Sequence, residues 1–313
     1  MPKPKISIIL TTYNRAHLII ETLNSVVAQS FTNWECIIID DNSNDDTKKV
    51  VLEFIKDDNR FEFVIKLKEI KQGLPASRNI GLKKAKGDYI IFFDDDDYIH
   101  PNNLETCLLV FRQREIDFIH YNKRAFENGD SPVIKYTPLK IEGEISLNNI
   151  EDVITNKIGL ASCTVMWKSK CFKDVFFNED LMYAEEWECY SRIISKGFHG
   201  VCISNVLYYN RKHVNSNTGQ FYSHDSVRRA SKKNAILLVL YNLIETKLLT
   251  NQILLYLVKL SLSFKEYNLF EQILNEVDIK RKNRVYWKYK YSLFAMKAIY
   301  YNFKQTVKSY LKK

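Results

Sequence analysis

The chain has 313 residues, 46% hydrophobic and 27% charged, enough for one large domain with an appendage or for two domains. No apolar run approaches the roughly 18–20 uncharged residues that span a bilayer, and Ile6–Leu10, behind a polar start, is too short for the core of a secretion signal. Lys and Arg outnumber Asp and Glu by 46 to 37, but residues 226–313 hold 18 against 5, which leaves 28 against 32 for residues 1–225. An acidic body thus carries a basic tail. The six cysteines are scattered, without a Cys-x-x-Cys pair, and read as reduced, buried thiols of a cytosolic protein rather than a disulfide or zinc framework.

In chain order, Ile6–Leu10 reads as a buried strand, Thr11–Arg15 as a polar turn, and His17–Gln29 as a helix with Leu18, Thr22, Ser25 and Val26 on neighbouring turns. Trp34–Ile39 is a second strand that runs into Asp40-Asp41-Asn42-Ser43-Asn44, and Asp45 or Asp46 caps the helix that follows, through Phe54. Phe61–Ile65 is a third strand. Ala76–Lys86 is a helix closed by Gly87, and Tyr89–Phe93 is a fourth strand that ends in Asp94-Asp95-Asp96-Asp97. Pro101 suits the first turn of a helix beginning near His100, and Asp117–Tyr121 is a fifth strand. Residues 123–185 carry no readable pattern. Beyond about 225 apolar residues recur at helical spacing, in Ala235–Leu240, Ile253–Val258 and Tyr267–Val277.

Strands alternating with helices predict an α/β fold with a mostly parallel, doubly wound sheet. Domains are expected at 1–224 and 225–313. In such sheets ligands bind beyond the carboxyl ends of the strands, which gives Thr11–Arg15, Asp40–Asn44 and Asp94–Asp97 a common address. Four adjacent carboxylates repel one another and have no place in a core; at a strand end a cation offsets the repulsion. A helix–loop–helix calcium site would need Gly where Ile99 stands. There is no G-x-G-x-x-G after the first strand and no G-x-x-x-x-G-K-[ST], so a bound phosphate would have to be reached through a metal.

The residues resemble those of the family-2 glycosyltransferases. The likeness runs through Ser7–Arg15, Ser25-Val26, Gln29-Ser30-Phe31, Trp34-Glu35 and Ile38–Ser43. It continues in Gly73, Ala76–Gly81, Ala85–Ile90 and Phe93–Asp97, then in a second block between 160 and 218. It implies a GT-A fold and sugar transfer from a nucleotide-activated donor, most often a UDP-sugar. Carried over by position, Thr11, Tyr13 and Arg15 line the nucleotide pocket, Asp41 binds the base with Asp40 beside it, and Arg78 faces the nucleotide or its phosphates. Asp94-Asp95-Asp96 is the D-x-D motif. Asp96 is the direct metal ligand, Asp94 touches ribose or metal, and Asp95 stands where the family often has a small residue. An all-oxygen site suits Mn²⁺ or Mg²⁺ better than zinc.

In the second block Ala184-Glu185-Glu186-Trp187 resembles the family's acidic pair before Trp, whose second carboxylate is the general base. Glu186 holds that place with one methylene more than the usual Asp, and a deprotonating carboxylate there implies inversion at the anomeric carbon. Acidic residues in a first helical turn also suit the macrodipole. His213, followed by Ser216, resembles the histidine that meets the metal or the diphosphate. After Asp278 Lys and Arg alternate with aromatics, a composition that fits an anionic membrane interface. The expected partners are therefore a nucleotide-sugar donor, a glycan or lipid-linked acceptor in bacterial surface polysaccharide synthesis, and the inner face of the plasma membrane. Nucleic acid is not expected, because the strand-end acids repel phosphates. A nucleotidyltransferase, or a donor-binding protein impaired by Glu186, are the alternatives.

Overall fold

A computed structural model of the chain describes residues 3–127, 129–212, 217–223, 225–263, 267–277 and 284–293, with Met296 and Tyr300. It divides into two compact units, Met1–Ala235 and Ile236–Lys313.

The first unit runs β1 (Ile6–Thr12), α1 (Ile19–Val27), β2 (Trp34–Asp40), α2 (Thr47–Ile55), β3 (Phe61–Ile65), α3 (Leu74–Lys84), β4 (Tyr89–Asp94), β5 (Tyr98–Ile99) and α4 (Asn103–Gln113). It continues through β6 (Phe118–Glu127), β7 (Ile141–Ile145), α5 (Ile150–Ile154), β8 (Val165–Lys168), α6 (Glu185–Ser195), β9 (Gly200–Lys212) and α7 (Asn217–Tyr222) into α8 (Ser226–Glu245). The division between the units falls within α8, after Ala235.

One sheet has the order β3-β2-β1-β4-β8-β6-β9-β5, with β7 also paired to β9. β3, β2, β1 and β4 are parallel. β8 then enters antiparallel to both β4 and β6, while β6 and β9 run parallel over a long ladder with a bulge near Asn122. The sheet is therefore mixed and mostly parallel. The expected fifth strand exists as β6, but β8, from the stretch without a readable pattern, separates it from β4.

The strand period places the core. Ile6, Ile8 and Leu10 of β1 join Cys36 and Ile38 of β2 and Ile91 and Phe93 of β4 in a cluster that takes in Ile19, Leu23 and Val26 of α1 and Leu104 and Leu108 of α4. Residues of opposite parity, such as Phe92, meet Phe172 and Phe177 at ring-centroid distances of 5.6 and 5.3 Å. Each fully buried side chain of this size stabilises the fold by about 1.5–3 kcal/mol.

Two local readings are corrected. Gly87 does not close α3; the helix ends when Ala85 turns extended, at ψ 129°. Gly87 instead lies against β1, where its N–H donates to the Ser7 hydroxyl at 2.8 Å, and a Cβ there would stand 2.5 Å from the Ser7 backbone nitrogen. Pro101 lies in the turn ahead of α4 rather than in its first turn, and its carbonyl accepts from Ser30 N–H at 2.9 Å. Of the two expected caps, Asp45 accepts the Thr47 N–H at 2.9 Å.

The second unit holds the rest of α8, α9 (Asn251–Ser263), α10 (Tyr267–Glu276) and a helical stretch at 284–293. Leu254, Leu257, Phe270, Ile273 and Leu274 are buried. The tail's aromatics divide. Trp287 is buried, Tyr291 packs on Phe270 at 4.2 Å between centroids, and Tyr286, Tyr289 and Tyr300 are exposed. Trp287 and Tyr291 thus serve packing, whereas the sequence placed all of them in one interface. Phe294, Tyr301, Phe303 and Tyr310 lie outside the described residues. No helix among the described residues is long and apolar enough to cross a membrane.

Gly87→Ala is expected to destabilise the first unit by about 1–3 kcal/mol, because the added methyl meets backbone that cannot rotate away; urea denaturation followed by circular dichroism measures it.

Candidate active site

The carboxyl ends of β1, β2 and β4 are laced together. The turn after β1 passes through Asn14 at φ 53°, a left-handed conformation that Asn tolerates better than most residues. From there Asn14 N–H donates to Ser43 at 2.9 Å and Arg15 N–H to Thr47 at 2.8 Å, while Asn14 Oδ1 accepts from Asn44 N–H at 2.7 Å. Asp40 is buried and accepts the Ser43 N–H at 3.2 Å. Asp41 is buried too, ion-paired with the wholly buried Lys66, and accepts the Gly73 N–H at 2.8 Å. Gly73 has φ 131°, open only to glycine, so this turn onto α3 depends on that residue.

Beside this lacing lies a cavity of about 500 Å³. Thr11, Arg15, Arg78, Asp94, Asp95, Asp96, Glu185 and Glu186 all line it, as do Lys123, Arg211 and Lys232. Asp40, Asp41 and Tyr13 do not; Tyr13 is 42% exposed, though its N–H reaches Asp95 at 3.3 Å. His213 lies outside the described residues.

Arg15 bridges the strand-end acids, at 3.2 Å to Asp95 and 3.1 Å to Asp96. Burial works against its charge, but Asp95 and Asp96 outweigh that and hold its pKa above the usual value. Arg78 reaches up from α3 and is only 2% exposed; it meets Glu185 at 2.8 Å, Glu186 at 3.4 Å, Asp94 at 3.6 Å and the Ser162 hydroxyl at 3.0 Å. Glu185 and Glu186 open α6 immediately after Ala184, whose φ of 66° is left-handed and unusual for a residue with a Cβ. The side chain of Glu185 is 4% exposed and that of Glu186 27%, so only the second faces open space. Burial, with the Glu186 charge added, pushes the Glu185 carboxyl up to about 7.

The donor set fits a hard divalent cation. Burial and mutual repulsion raise Asp94 above the ordinary carboxyl range and Asp95 to about 7, so a cation at the end of β4 would relieve both. Ligand atoms of Asp94, Asp97 and Cys163 lie within 4.8 Å of one another. The Asp97 carboxylate, however, already accepts the Arg211 N–H at 2.7 Å, and burial holds the Cys163 thiol protonated, well above its usual pKa. All four strand-end aspartates line the cavity, and the side chains of Asp94 and Asp96 are more exposed than that of Asp95.

Lys66, Lys123 and Lys232 escaped the sequence reading. Lys123 lies 3.9 Å from the Cys163 sulfur, among Asp94, Asp97 and Glu186. Only folding brings such distant lysines to the acids they serve.

A mixed sheet with carboxylates at the end of its fourth strand and a second acidic pair opening a helix across the cavity is the GT-A architecture of nucleotide-sugar transferases. A solved structure of Staphylococcus aureus TarS residues 1–349 in complex with UDP-GlcNAc superposes with a TM-score of 0.65 at 21% identity, covering 90% of this chain and 78% of that one. The mannosyltransferase PcManGT from Pyrobaculum calidifontis, solved with GDP-Man and Mn²⁺, gives 0.54 at 13%, with 94% and 86% covered.

Residues 7–170, more than half of the chain, match the model of Glycosyl transferase family 2, and the chain belongs to that family. Among curated relatives, a GalNAc(5)-diNAcBac-PP-undecaprenol beta-1,3-glucosyltransferase of Campylobacter jejuni is 40% identical over 105 residues, 34% of either chain. The UDP-Glc:alpha-D-GlcNAc-diphosphoundecaprenol beta-1,3-glucosyltransferase WfgD of Escherichia coli is 36% identical over 145 residues, 46% of this chain and 55% of that one. The poly(ribitol-phosphate) beta-N-acetylglucosaminyltransferase TarS of Staphylococcus aureus is 28% identical over 187 residues, 58% of this chain and 31% of its own length. The matches thus span from about a third to about half of these relatives' lengths.

Arg78→Met leaves Glu185 buried without its cation and is expected to destabilise the fold by about 3–5 kcal/mol. Adding Glu185→Gln should recover part of that loss, which a double-mutant cycle in urea detects as a non-additive term.

Proposed function

We propose that the protein is an inverting glycosyltransferase that moves a sugar from a nucleotide-sugar donor, a UDP-sugar, to a glycan or lipid-linked acceptor in bacterial surface polysaccharide synthesis. The observation that carries this reading is the meeting, in one cavity, of the β4 carboxylates with the half-exposed carboxylate of Glu186. Thr11 and Arg15 on the cavity wall, with Tyr13, Asp40 and Asp41 from the neighbouring turns, would form the nucleoside end, and Arg78, which also lines the cavity, meets Glu186 at 3.4 Å. The relatives' substrates, UDP-glucose for WfgD and UDP-GlcNAc bound to TarS, favour uridine.

In this mechanism Glu186 accepts the proton of an acceptor hydroxyl. That oxygen forms its bond to the anomeric carbon from the side opposite the leaving group, the bond from that carbon to the diphosphate oxygen breaks, and the nucleoside diphosphate departs with the electron pair. Asp94 and Asp96, with His213, would hold Mn²⁺ or Mg²⁺, which when bound neutralises the charge growing on the diphosphate. Arg15 fixes Asp95 and Asp96 in place. Arg78 holds Glu186 on the cavity wall, with help from the Ser162 N–H at 3.3 Å.

Glu186→Gln should lower transfer by about 10²–10⁴-fold while leaving nucleotide affinity, measured calorimetrically with manganese, nearly unchanged. Asp96→Asn should instead weaken that affinity by at least about tenfold, since even outer partners of a metal site are worth about 10–100-fold. Release of UDP with a product of inverted anomeric configuration, seen by NMR, is the expected result; release of pyrophosphate would mark a nucleotidyltransferase and sink this reading.

The exposed Tyr286 and Tyr289, with Lys290 5.4 Å from the Tyr286 ring, favour docking of the second unit on an anionic membrane at the cytoplasmic face. Each basic residue near such a surface contributes about 1 kcal/mol. Sedimentation with phosphatidylglycerol vesicles should fall when Tyr286 and Tyr289 become Ser, and should be unaffected by Trp287→Phe.

A further inference from the structure

We propose that Lys232 and Trp187 form an anion subsite in the same cavity that takes a phosphate carried by the acceptor. This rests on the glycosyltransferase reading and deepens it. Three observations meet here.

The first is the position of Lys232. The hydroxyl of Ser231 accepts the N–H groups of Met182 and Tyr183 at 2.8 and 2.9 Å and donates to the Tyr183 carbonyl at 2.8 Å. This anchors the first turns of α8 to the loop that delivers Glu185 and Glu186, and the next residue, Lys232, lines the cavity. The second is what its ammonium meets. It stands 3.9 Å from the centre of the Trp187 ring, whose N–H is fixed by the Ile154 carbonyl at 3.1 Å. Among the described residues it forms no ion pair. Glu185, the acid whose charge it feels, is already bound by Arg78 at 2.8 Å. Burial draws the Lys232 ammonium down to about 8, as expected of a cation without an anion against it.

The third observation is direction. Lys232 meets Trp187, the residue after Glu186, whereas Arg15 meets the strand-end acids Asp95 and Asp96. The subsite is therefore assigned to the Glu186 side of the cavity, where the proposed acceptor would extend. Trp187 follows the base Glu186 in the chain, so a phosphate on the reacting sugar residue itself is within reach. The acceptors after which the relatives are named, two undecaprenyl diphosphate glycans and a poly(ribitol phosphate), all carry phosphate. An indole face beneath a cation also suits an acceptor that presents a sugar ring and an anion together.

The test is calorimetric titration of N-acetylglucosamine diphosphate bearing a short alkyl chain, and of the matching alkyl N-acetylglucosaminide without phosphate, into wild type, Lys232→Gln and Lys232→Arg. Each titration is run on protein saturated with UDP and manganese, so that the nucleotide site is filled, and repeated without them. The expected result is a loss of about tenfold or more in affinity for the diphosphate in Lys232→Gln, the size of one charge-assisted hydrogen bond, with recovery in Lys232→Arg. The phosphate-free glycoside and UDP should bind all three proteins alike. Equal affinity of all three proteins for the diphosphate, or an equal loss for both ligands, overturns the proposal even where UDP binds normally. A loss of UDP affinity in Lys232→Gln assigns the lysine to the donor and overturns it as well. If UDP fails to bind but the diphosphate shows the Lys232 dependence, the anion subsite stands and the donor reading falls.

Discussion

Arg78 is buried among carboxylates that arrive from two directions, Asp94 from the end of β4 and Glu185 and Glu186 from the start of α6. Burying a lone guanidinium costs several kcal/mol, and so does burying Glu185. Each becomes acceptable only when the other is in place, so α3, β4 and α6 reach their positions together or not at all. The left-handed turn at Ala184, the Gly73 turn held by Asp41 and the Ser231 anchor on Met182 and Tyr183 are the local devices that hold this arrangement. Backbone strain at Ala184, of order 1–3 kcal/mol, persists because its surroundings over-determine it.

The same electrostatics favour the proposed cation in the cavity ahead of any phosphate. Arg15 pairs with Asp95 and Asp96, Arg211 spends its guanidinium on Glu21 at 2.6 Å and on the Asp96 carbonyl, and Asp94 has Arg78 only at 3.6 Å. The oxygens left facing open space repel a diphosphate until a metal ion reverses the local sign. On the proposed reading, sugar transfer then needs little further chemistry from the chain: one base, and walls that hold two sugars.

Much of this was legible in the sequence because strand ends are. The apolar runs of β1, β2 and β4 fix both the strands and their parity, and the polar residues just beyond them fall at one edge by topology alone. The antiparallel insertion of β8 was not legible, since four residues without period carry no directional signal. Asp41 shows the limit for single residues. Its motif position implies contact with a base, but nothing in the sequence signals that its side chain also holds the buried Lys66, just beyond β3, and the Gly73 N–H. Arg78 reads equally well as a helix-surface residue, because only folding shows that its face of α3 is covered. Lys232 sits in a helix read only as an ordinary amphipathic segment; the cavity at its first turns exists only in three dimensions.

The acidic pair at the start of α6 shows how one motif divides its work. Both side chains sit where the macrodipole favours negative charge, so helix stability alone does not distinguish them. Exposure does: both line the cavity, but the side chain of Glu185, at 4%, is covered and paired with Arg78, whereas that of Glu186, at 27%, stays open. Held against Arg78 at 2.8 Å, Glu185 serves as counter-ion, and the guanidinium also meets Glu186 at the longer 3.4 Å. The extra methylene of Glu186, relative to the aspartate of its family, is accommodated by that second contact and by the Ser162 N–H. These two donors fix one carboxylate oxygen and leave the other available. The proposed base is thus positioned by its partner's burial: one acid holds the frame, and the other is left open for the acceptor of the proposed reaction.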